Sequence, residues 1–420
     1  MNILWVSLYP PLPLNFGGPV GIYKRLVELR KYNNVFLFYL NEDNDSTYDA
    51  RLSELCVEVH SYKRNRINDK DSLTKMLTYP LTAATRYVTK MQADIEKCII
   101  DNKIDLINVE FPQMCVNLTK IHSHYPNIPI VLHEHNNEWL RFTQMADTVS
   151  GLKRYMYKRE SKLLYKLEKK IEENGLISLY TFLSDKDQSN FISYFNVKKE
   201  RTALVPLGAD IFEKRHVKRI DKNKIIMFCA AMDSEMNQEA ALWFVEKVFP
   251  LIKDGIDNVK FYIVGRNPSD EITKLADDDV VVTGTVDSLS EYYEKADLVV
   301  IPLLHGGGVK VKLLEAVGYD KNIVTTSVGI EGTLFDKVNH IPVCDDAAAF
   351  ANACIKILID DKYASLLREN TRKFFFDNYT WEKIGKKYNT NLKSLCTNHD
   401  MMCTHNYVLN RVEVSDEIVD

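Results

Sequence analysis

The chain has 420 residues, of which 45% are hydrophobic and 27% charged, a composition typical of a globular protein with two full-sized cores. Its formal net charge of -4 argues against nucleic acid as the main partner. No apolar run is long enough to cross a bilayer, no basic signal-peptide start is present and the eight cysteines form no CxxC pair, so we expect a cytoplasmic protein with free thiols.

The first residues predict a Rossmann-like opening. An apolar strand over residues 2–7 leads through a flexible loop with Gly17 and Gly18 into a helix from about Val20 to Leu29. The dinucleotide spacing GxGxxG is missing, which argues against a nicotinamide or flavin cofactor. Paired glycines allow a backbone to approach a ligand closely, although a plain surface loop is the alternative.

Polar side chains follow two of the next predicted strands. Glu110 ends the strand 104–110, and the run from His133 to Glu138 follows the strand that begins at residue 128. Ligands of open α/β sheets bind at the carboxyl ends of strands. A single histidine usually has a structural role, but two histidines, two glutamates and two asparagines at one strand end indicate a site. The spacing is not HExxH, so we predict no metal.

Two segments of the first half are strongly basic. Residues 62–91 carry seven Lys or Arg against two Asp, a net charge of +5, with the apolar run 76–81 beside them. The helical segment 153–170 carries eight Lys or Arg against two Glu, a net charge of +6. This mixture suits an anionic membrane surface or a lipid-phosphate acceptor. A solvated charged face is the commoner interpretation of such runs.

The second half repeats the alternation of strands and helices after a charged segment, Glu213 to Lys224, that we interpret as an interdomain linker. Strands are predicted over residues 224–230, 259–265, 280–286, 296–302 and 323–326, and helices over 350–359, 363–376 and from 381 towards 395, before a polar tail. Two Rossmann-like domains on a linker predict a deep interdomain cleft, where small-molecule sites usually lie.

The stretch from His305 to Gly318, HGGGVKVKLLEAVG, is the clearest candidate site. A strand, a glycine turn and a helix in this order point free backbone N–H groups at an anion, and the helix dipole adds partial positive charge. Lys310 and Lys312 add two full charges, and we expect Lys312 to be exposed. Glu315 can accept hydrogen bonds from sugar or ribose hydroxyls. Together these features indicate a nucleotide-sugar site, with a glycine turn and two solvated lysines as the alternative.

These motifs resemble the family 4 retaining glycosyltransferases (glycosyl transferases group 1) of bacterial surface-glycan type, which have the GT-B fold. The resemblance covers about Val205 to Trp381, and the first half matches more loosely through Gly17-Gly18 and Glu134–Glu138. The segments that carry it are Val205–Asp210, Phe261–Gly265, Val282–Val286, Tyr293–Asp297 and Gly306–Ala316.

The sequence departs from the family at two places. The family has two glutamates that bracket seven residues, and here the first position holds Gly307 while Glu315 occupies the second. The arginine and lysine that grip the diphosphate in many members align with Ala231 and Met236. Lys310 and Lys312 resemble a relocated phosphate grip.

The resemblance implies an α/β GT-B protein with an acceptor-side domain over residues 1–206, a nucleotide-sugar-binding domain over 207–385, and a helix end and tail over 386–420 that is expected to return to the first domain. It implies a metal-independent hexosyltransferase without cofactor that moves a sugar from a nucleoside diphosphate sugar to a glycan or lipid-linked acceptor in polysaccharide biosynthesis, in the cytoplasm or at the inner membrane surface. A non-catalytic nucleotide-sugar-binding partner and a GT-B-fold sugar-nucleotide epimerase are the alternatives. The implied site residues are His135, Lys312 and Glu315 for catalysis, Gly17, Gly18, Thr285, Val286, Gly307, Gly308, Val309, Lys310 and Leu314 for the donor, and Glu110 and Glu138 for the acceptor side.

Overall fold

The computed structural model describes residues 1–14, 17–42, 46–67, 69–212 and 223–397. These residues form two compact units, one made of Met1–Val205 with the segment that begins at Ile384, the other of Pro206–Lys383. Most of the predicted linker and the whole predicted tail from Asn398 lie outside the described residues.

The first unit is built on a seven-stranded parallel sheet. Its strands are β1 (Asn2–Ser7), β2 (Asn34–Asn41), β3 (Glu58–Lys63), β4 (Leu106–Glu110), β5 (Ile130–Glu134), β6 (Leu179–Phe182) and β7 (Thr202–Leu204). They lie in the order β3-β2-β1-β4-β5-β6-β7. Central strands such as β4 are buried along their whole length, as expected where helices cover both faces of a parallel sheet.

Helices cover this sheet on both faces. They are α1 (Gly17–Leu29), α2 (Asp49–Ser53), α3 (Lys70–Lys75), α4 (Leu81–Ala84), α5 (Thr89–Asn102), α6 (Thr119–His124), α7 (Glu138–Asp147), α8 (Gly151–Glu173) and α9 (Asp185–Phe195). One apolar core packs the sheet against α1 and the final helix, residues 381–397, and the other packs it against α5, α6, α8 and α9. In the described part of the chain, no helix combines the length and the apolarity that crossing a bilayer requires.

The start of α1 differs from the prediction. Gly17 and Gly18 form the first turn of the helix, whereas the sequence predicted a loop there and a helix from about Val20. The first amides of a helix have no partner within the helix. The amides of the two glycines therefore have no partner within the helix itself, and neither residue carries a side chain.

The second unit contains a five-stranded parallel sheet of order β10-β9-β8-β11-β12. Its strands are β8 (Lys224–Cys229), β9 (Val259–Val264), β10 (Val280–Val282), β11 (Leu298–Ile301) and β12 (Asn322–Thr325). Its helices are α10 (Glu235–Trp243), α11 (Phe249–Gly255), α12 (Asp270–Thr273), α13 (Leu289–Lys295), α14 (Val311–Gly318), α15 (Ser327–Ile330), α16 (Ala347–Ile359) and α17 (Asp361–Asn378). The predicted strand 280–286 is too long, because Gly284 has φ 67° and turns the chain after β10.

Both sheets reverse their strand order at one point. In the first unit β1 lies between β2 and β4, and in the second unit β8 lies between β9 and β11. Ligands of open α/β sheets bind outside the strand ends at such a switch point. Glu110 lies at the end of β4, and the glycine turn follows β11, so each predicted site lies at the switch point of its own sheet. The predicted α/β architecture with two Rossmann-like domains is confirmed.

Candidate functional site

The glycine turn after β11 requires glycine at two positions. Gly306 has φ 117° and Gly308 has φ 75°, conformations that side chains other than glycine rarely adopt. A Cβ atom on Gly306 would also lie 2.1 Å from the Met236 sulfur. The conformation of the turn, which leads directly into α14, therefore depends on glycine at both positions.

Lys310 is used within the turn itself. The side chain is buried, and its Nζ donates hydrogen bonds to the carbonyl oxygens of Gly307 at 2.8 Å and Gly308 at 2.9 Å. These hydrogen bonds tie the ammonium to the backbone of its own loop and help to hold the shape of the turn. Its predicted contact with the donor stays a prediction.

Lys312 is the second cation and lies in the first turn of α14. Its Nζ donates to Asn237 Oδ1 at 2.7 Å and lies 5.1 Å from the centroid of the Phe228 ring. The side chain is half-buried, so the expectation of an exposed lysine is wrong. Burial, with a smaller contribution from the positive charge of Lys310, lowers its pKa from 10.5 to about 8.

Glu315 lies one turn further along α14. It is half-buried, and burial raises the pKa of its carboxyl above 4.5. The Tyr293 hydroxyl lies 3.4 Å from Oε2 and donates to it. The Tyr293 ring stacks on Tyr319 with centroids 4.2 Å apart, which fixes the phenol beside the carboxylate. Sequence reasoning missed Tyr293 as a partner, although it lies in a recognised segment.

The remaining donor-side predictions fall on surfaces of different kinds. Thr285 is exposed and Val286 half-buried in the loop after β10, while Gly307 is exposed and Gly308 and Val309 are half-buried in the turn. Leu314 is fully buried in the core of the second unit. Its side chain is therefore unavailable to a donor, so the predicted contact would have to be made by its backbone.

In the first unit the Glu110 carboxylate accepts hydrogen bonds from Arg25 and His135. Arg25 Nη2, from α1, donates to both carboxylate oxygens at 3.0 and 2.8 Å, and His135 Nε2 lies 2.6 Å from Oε2. Burial alone would raise the pKa of Glu110, but Arg25 and the neighbouring histidines hold it well below its usual range. The carboxylate is thus ionised and completely enclosed.

His135 can be assigned a tautomer from this contact. An ionised carboxylate only accepts hydrogen bonds, so Nε2 of His135 carries the hydrogen. Burial lowers the pKa of His135 below 6.5, which keeps the ring neutral and leaves Nδ1 as an acceptor. The Phe111 ring stacks on the imidazole with centroids 4.0 Å apart. Phe111 has φ 70°, a strained conformation of the kind that collects at functional sites.

Glu110, His133 and His135 are the described residues whose geometry could hold a metal, with ligand atoms within 4.8 Å of one another. Arg25 already pairs with the carboxylate, and His133 Nδ1 lies 2.5 Å from Thr181 Oγ1. Burial and the Arg25 charge both lower the pKa of His133. A divalent cation here would lie beside the Arg25 guanidinium, with the Glu110 carboxylate as the one negative charge to balance both cations. The cluster therefore fits a site with uncharged histidines and no metal better.

The two acceptor-side glutamates point inward. Glu110 is fully buried, and Glu138, the first residue of α7, is buried and accepts from Gln113 Nε2 at 3.0 Å and Arg141 Nη1 at 3.3 Å. Both oxygens of Glu110 are used internally and the side chain is fully buried, so it is not placed to contact an acceptor directly. Its contact with His135 gives it a positioning role instead.

A second pair of carboxyls lies below the same strand end. Glu134, at the end of β5, and Glu168, on α8, are fully buried, and neither has a hydrogen-bond partner among the described residues. Burial raises the pKa of both groups well above 4.5. The charge of Glu168 raises the pKa of Glu134 further, and the charge of Glu138 raises the pKa of both.

A family model and a curated relative match this chain. Residues 223–360 match the family described as Glycosyl transferases group 1, which confirms the resemblance found in the second half. A curated relative, an uncharacterized 44.6 kDa protein in the cps region of Klebsiella pneumoniae, is 22% identical over 91% of this chain and 97% of its own length.

Solved structures show the same fold. A glycosyltransferase from Rickettsia africae superimposes with a TM-score of 0.65 at 15% identity, over 94% of this chain and 99% of the other. The sucrose-phosphate synthase of Thermosynechococcus elongatus gives a TM-score of 0.64 over the same shares at 15% identity. Anabaena HepE in complex with UDP gives 0.63 at 16% identity, over 94% of this chain and 100% of the other. At these identities the likeness shows the GT-B fold alone.

Proposed function

We propose that this group 1 glycosyltransferase moves a hexose from a nucleoside diphosphate sugar to a hydroxyl of a glycan or lipid-linked acceptor, with retention of configuration. One observation carries the proposal. The glycine turn, the N-terminus of α14, the Lys312 ammonium and the Glu315 carboxyl lie at the switch point of one sheet. That set offers donors for a diphosphate and an acceptor for ribose hydroxyls.

The chemistry requires stabilisation of the charge that builds up on the departing diphosphate. Amides at the start of α14 and the Lys312 ammonium would supply it without a metal or a further cofactor. Preorganised donors of this kind each contribute about 3 kcal/mol to transition-state stabilisation. Glu315 would bind the ribose, and Thr285 and Val286 would lie along the donor.

In the first unit, His135 would bind the transferred sugar. Because Nε2 is committed to Glu110, Nδ1 would accept a hydrogen bond from a sugar hydroxyl. The amides of Gly17 and Gly18 at the start of α1 would contact donor phosphate or acceptor. HepE structures contain UDP and UDP-glucose, and this supports uridine diphosphate sugars as the first donors to test.

A donor panel tests this function. We expect one class of nucleoside diphosphate sugar to raise the melting temperature, and transfer to require both that donor and a glycan or lipid-linked acceptor. Stabilisation without turnover would favour a non-catalytic binding partner. Conversion of the donor without any acceptor would favour an epimerase. Stabilisation by none of the donors would refute the donor site itself.

We also propose that the acceptor is met at an anionic membrane surface on the cytoplasmic side. The two basic segments come together, since Arg159 Nη2 donates to the Met76 carbonyl at 3.1 Å and the Glu160 carboxylate accepts from the Leu81 amide at 2.8 Å. Between the lysines and arginines, Leu77 is 88% and Leu152 74% exposed. Basic residues around exposed apolar ones suit an anionic bilayer. The relative in a cps region supports a role in surface polysaccharide synthesis.

Vesicle flotation tests the membrane proposal. Binding should need anionic lipid and low salt, and Leu77→Asp or Leu152→Asp should weaken it. Ile359→Asp is the matched control, because Ile359 is 67% exposed on α16 of the other unit. Equal flotation with neutral and anionic vesicles would contradict the membrane proposal. It would favour a solvated basic face and a soluble acceptor instead.

A further inference from the structure

Helix α10 supports the glycine turn through side chains close together in sequence. Met236 packs against Gly306, Asn237 accepts from Lys312, and the Glu239 carboxylate lies 3.1 Å from His305 Nδ1. These contacts join the helix that follows β8 to the turn that follows β11. The two strand ends at the switch point are therefore connected by side chains.

We propose that Asn237 is a positioning residue that aims the Lys312 ammonium at the donor diphosphate. This inference rests on the proposed function. Asn237 is buried, and its Nδ2 donates to the Ala231 carbonyl at 2.8 Å while its Oδ1 accepts from Lys312 Nζ at 2.7 Å. The amide thus bridges the end of β8 and the start of α14.

The bridge has a defined orientation. Because the nitrogen of the Asn237 amide is bound to a carbonyl oxygen, the oxygen of the amide has to face the ammonium. A lysine side chain has four rotatable bonds and a compact charge, so it needs such a partner to hold one position. The Phe228 ring beneath Nζ adds a second constraint.

The ammonium retains donors for a ligand. Lys312 has three N–H groups when protonated, and Asn237 is its one hydrogen-bond partner within the described ranges. Two N–H groups therefore point elsewhere and can bind phosphate oxygens. Neither Ala231 nor Met236, which precede this bridge on the chain, carries a charge, so Lys312 supplies the cation that this side of the turn presents.

Calorimetry with UDP and the other nucleoside diphosphates tests the role. Asn237→Ala should weaken diphosphate binding roughly tenfold, because the ammonium loses a hydrogen bond to a buried partner and the position that it fixes. Gln238→Ala is the matched control. Its Nε2 also donates to a backbone carbonyl, that of Met232 at 2.8 Å, but it does not touch Lys312.

A pH series separates positioning from a general loss of structure. Asn237→Asp places a carboxylate beside Nζ, which should move the alkaline limit of diphosphate binding to higher pH. A merely structural role would leave that limit unchanged. The double variant Asn237→Ala with Lys312→Ala should bind no more weakly than Lys312→Ala, since the two residues act as one unit.

The outcomes distinguish this inference from the proposed function. If the unaltered protein binds no nucleoside diphosphate, the donor site fails. If it binds one, and folded Asn237→Ala binds it equally well, the positioning role is refuted. Additive losses in the double variant would refute it too.

Discussion

The two switch points have the same topology but differ in charge balance, which is met in the first unit and not in the second. In the first unit Arg25, Glu110 and His135 form a buried chain in which the one carboxylate offsets the one guanidinium, and the imidazole that ends it is neutral. In the second unit Lys312 has an amide and an aromatic ring as its neighbours, and no carboxylate pairs with it within the described ranges.

From this difference we infer different roles for the two regions. A charge-balanced cluster that ends in a neutral acceptor can orient a hydroxyl but contributes little field. A half-buried ammonium without a paired carboxylate attracts an anion strongly, because the low local dielectric strengthens its field. The first region is therefore suited to sugar recognition and the second to stabilisation of a diphosphate.

The largest expected effect comes from breaking the charge balance of the first region. Glu110→Gln keeps the size of the side chain but leaves Arg25 buried without a counter-charge, which typically costs about 3–5 kcal/mol. We expect the free energy of unfolding, measured with urea, to fall by that amount. Glu58→Gln is the control, since Glu58 also pairs with a histidine, His60 at 2.9 Å, but on the surface. If the free energy of unfolding falls as little in Glu110→Gln as in Glu58→Gln, Glu110 does not offset a buried charge on Arg25.

The second prediction removes the unbalanced cation. Lys312→Ala should reduce transfer roughly 100-fold and weaken diphosphate binding, because an electrostatic donor in a partly dry site is lost. The variant also loses a packed side chain, so a modest decrease in stability is expected. Steady-state kinetics and calorimetry measure both. Unchanged nucleoside diphosphate affinity would rule out Lys312 as the phosphate grip.

Local patterns predicted the scaffold well. Buried strands appear as β-branched runs, glycines mark the turn before α14, and strand ends predict where sites lie. The N-terminus of α1 and the end of β10 were missed by a few residues, because Gly17-Gly18 and Gly284 were each compatible with two backbone conformations. The site partners were not predictable in this way.

Those partners are distant in sequence. Arg25 and Glu110 are separated by 85 residues, and Asn237 and Lys312 by 75. Neither Arg25 within an amphipathic helix nor Asn237 near a helix start has a local signature that distinguishes it from a solvated residue. The burial of Lys310 was not predictable for the same reason, since it depends on how the turn folds over its own carbonyls.

The third prediction uses pH to separate the two units. Burial raises the pKa of Glu134 and Glu168 above 4.5, so the folded state holds protons that the unfolded chain has released. Stability should therefore be greatest below pH 4.5 for these groups and fall as pH rises above it, by up to about 1.4 kcal/mol per pH unit for each carboxyl. Glu168→Gln should flatten this decline and be more stable than the unaltered protein at pH 8.

Lys312 has the opposite pH dependence in another range. Its pKa is about 8 in the folded state against 10.5 ordinarily, so its unfavourable contribution fades between pH 8 and 10.5. Denaturation curves from pH 5 to 8 thus leave out the titration of Lys312, and the comparison with Glu168→Gln isolates the buried pair of the first unit. If stability falls as steeply with pH in Glu168→Gln as in the unaltered protein, the pKa of Glu168 is not raised in the folded state.

The smallest expected effect concerns Glu315, whose accepting capacity is already partly used. Burial raises the pKa of this carboxyl and Tyr293 donates to it, so part of its accepting capacity is used before a donor binds. Glu315→Gln keeps the size and one acceptor oxygen but loses charge-assisted hydrogen bonds to ribose, which we expect to weaken donor binding roughly fivefold. A 2′-deoxyribose or 3′-deoxyribose donor should lose less affinity in this variant than the natural donor, because the hydroxyl that Glu315 holds is already missing. Tyr293→Phe serves as the control, since it frees a carboxylate oxygen and should not weaken binding of the natural donor. Equal losses for natural and deoxy donors would show that Glu315 does not contact the ribose, and the contrast between the two regions would then rest on Lys312 and the turn alone.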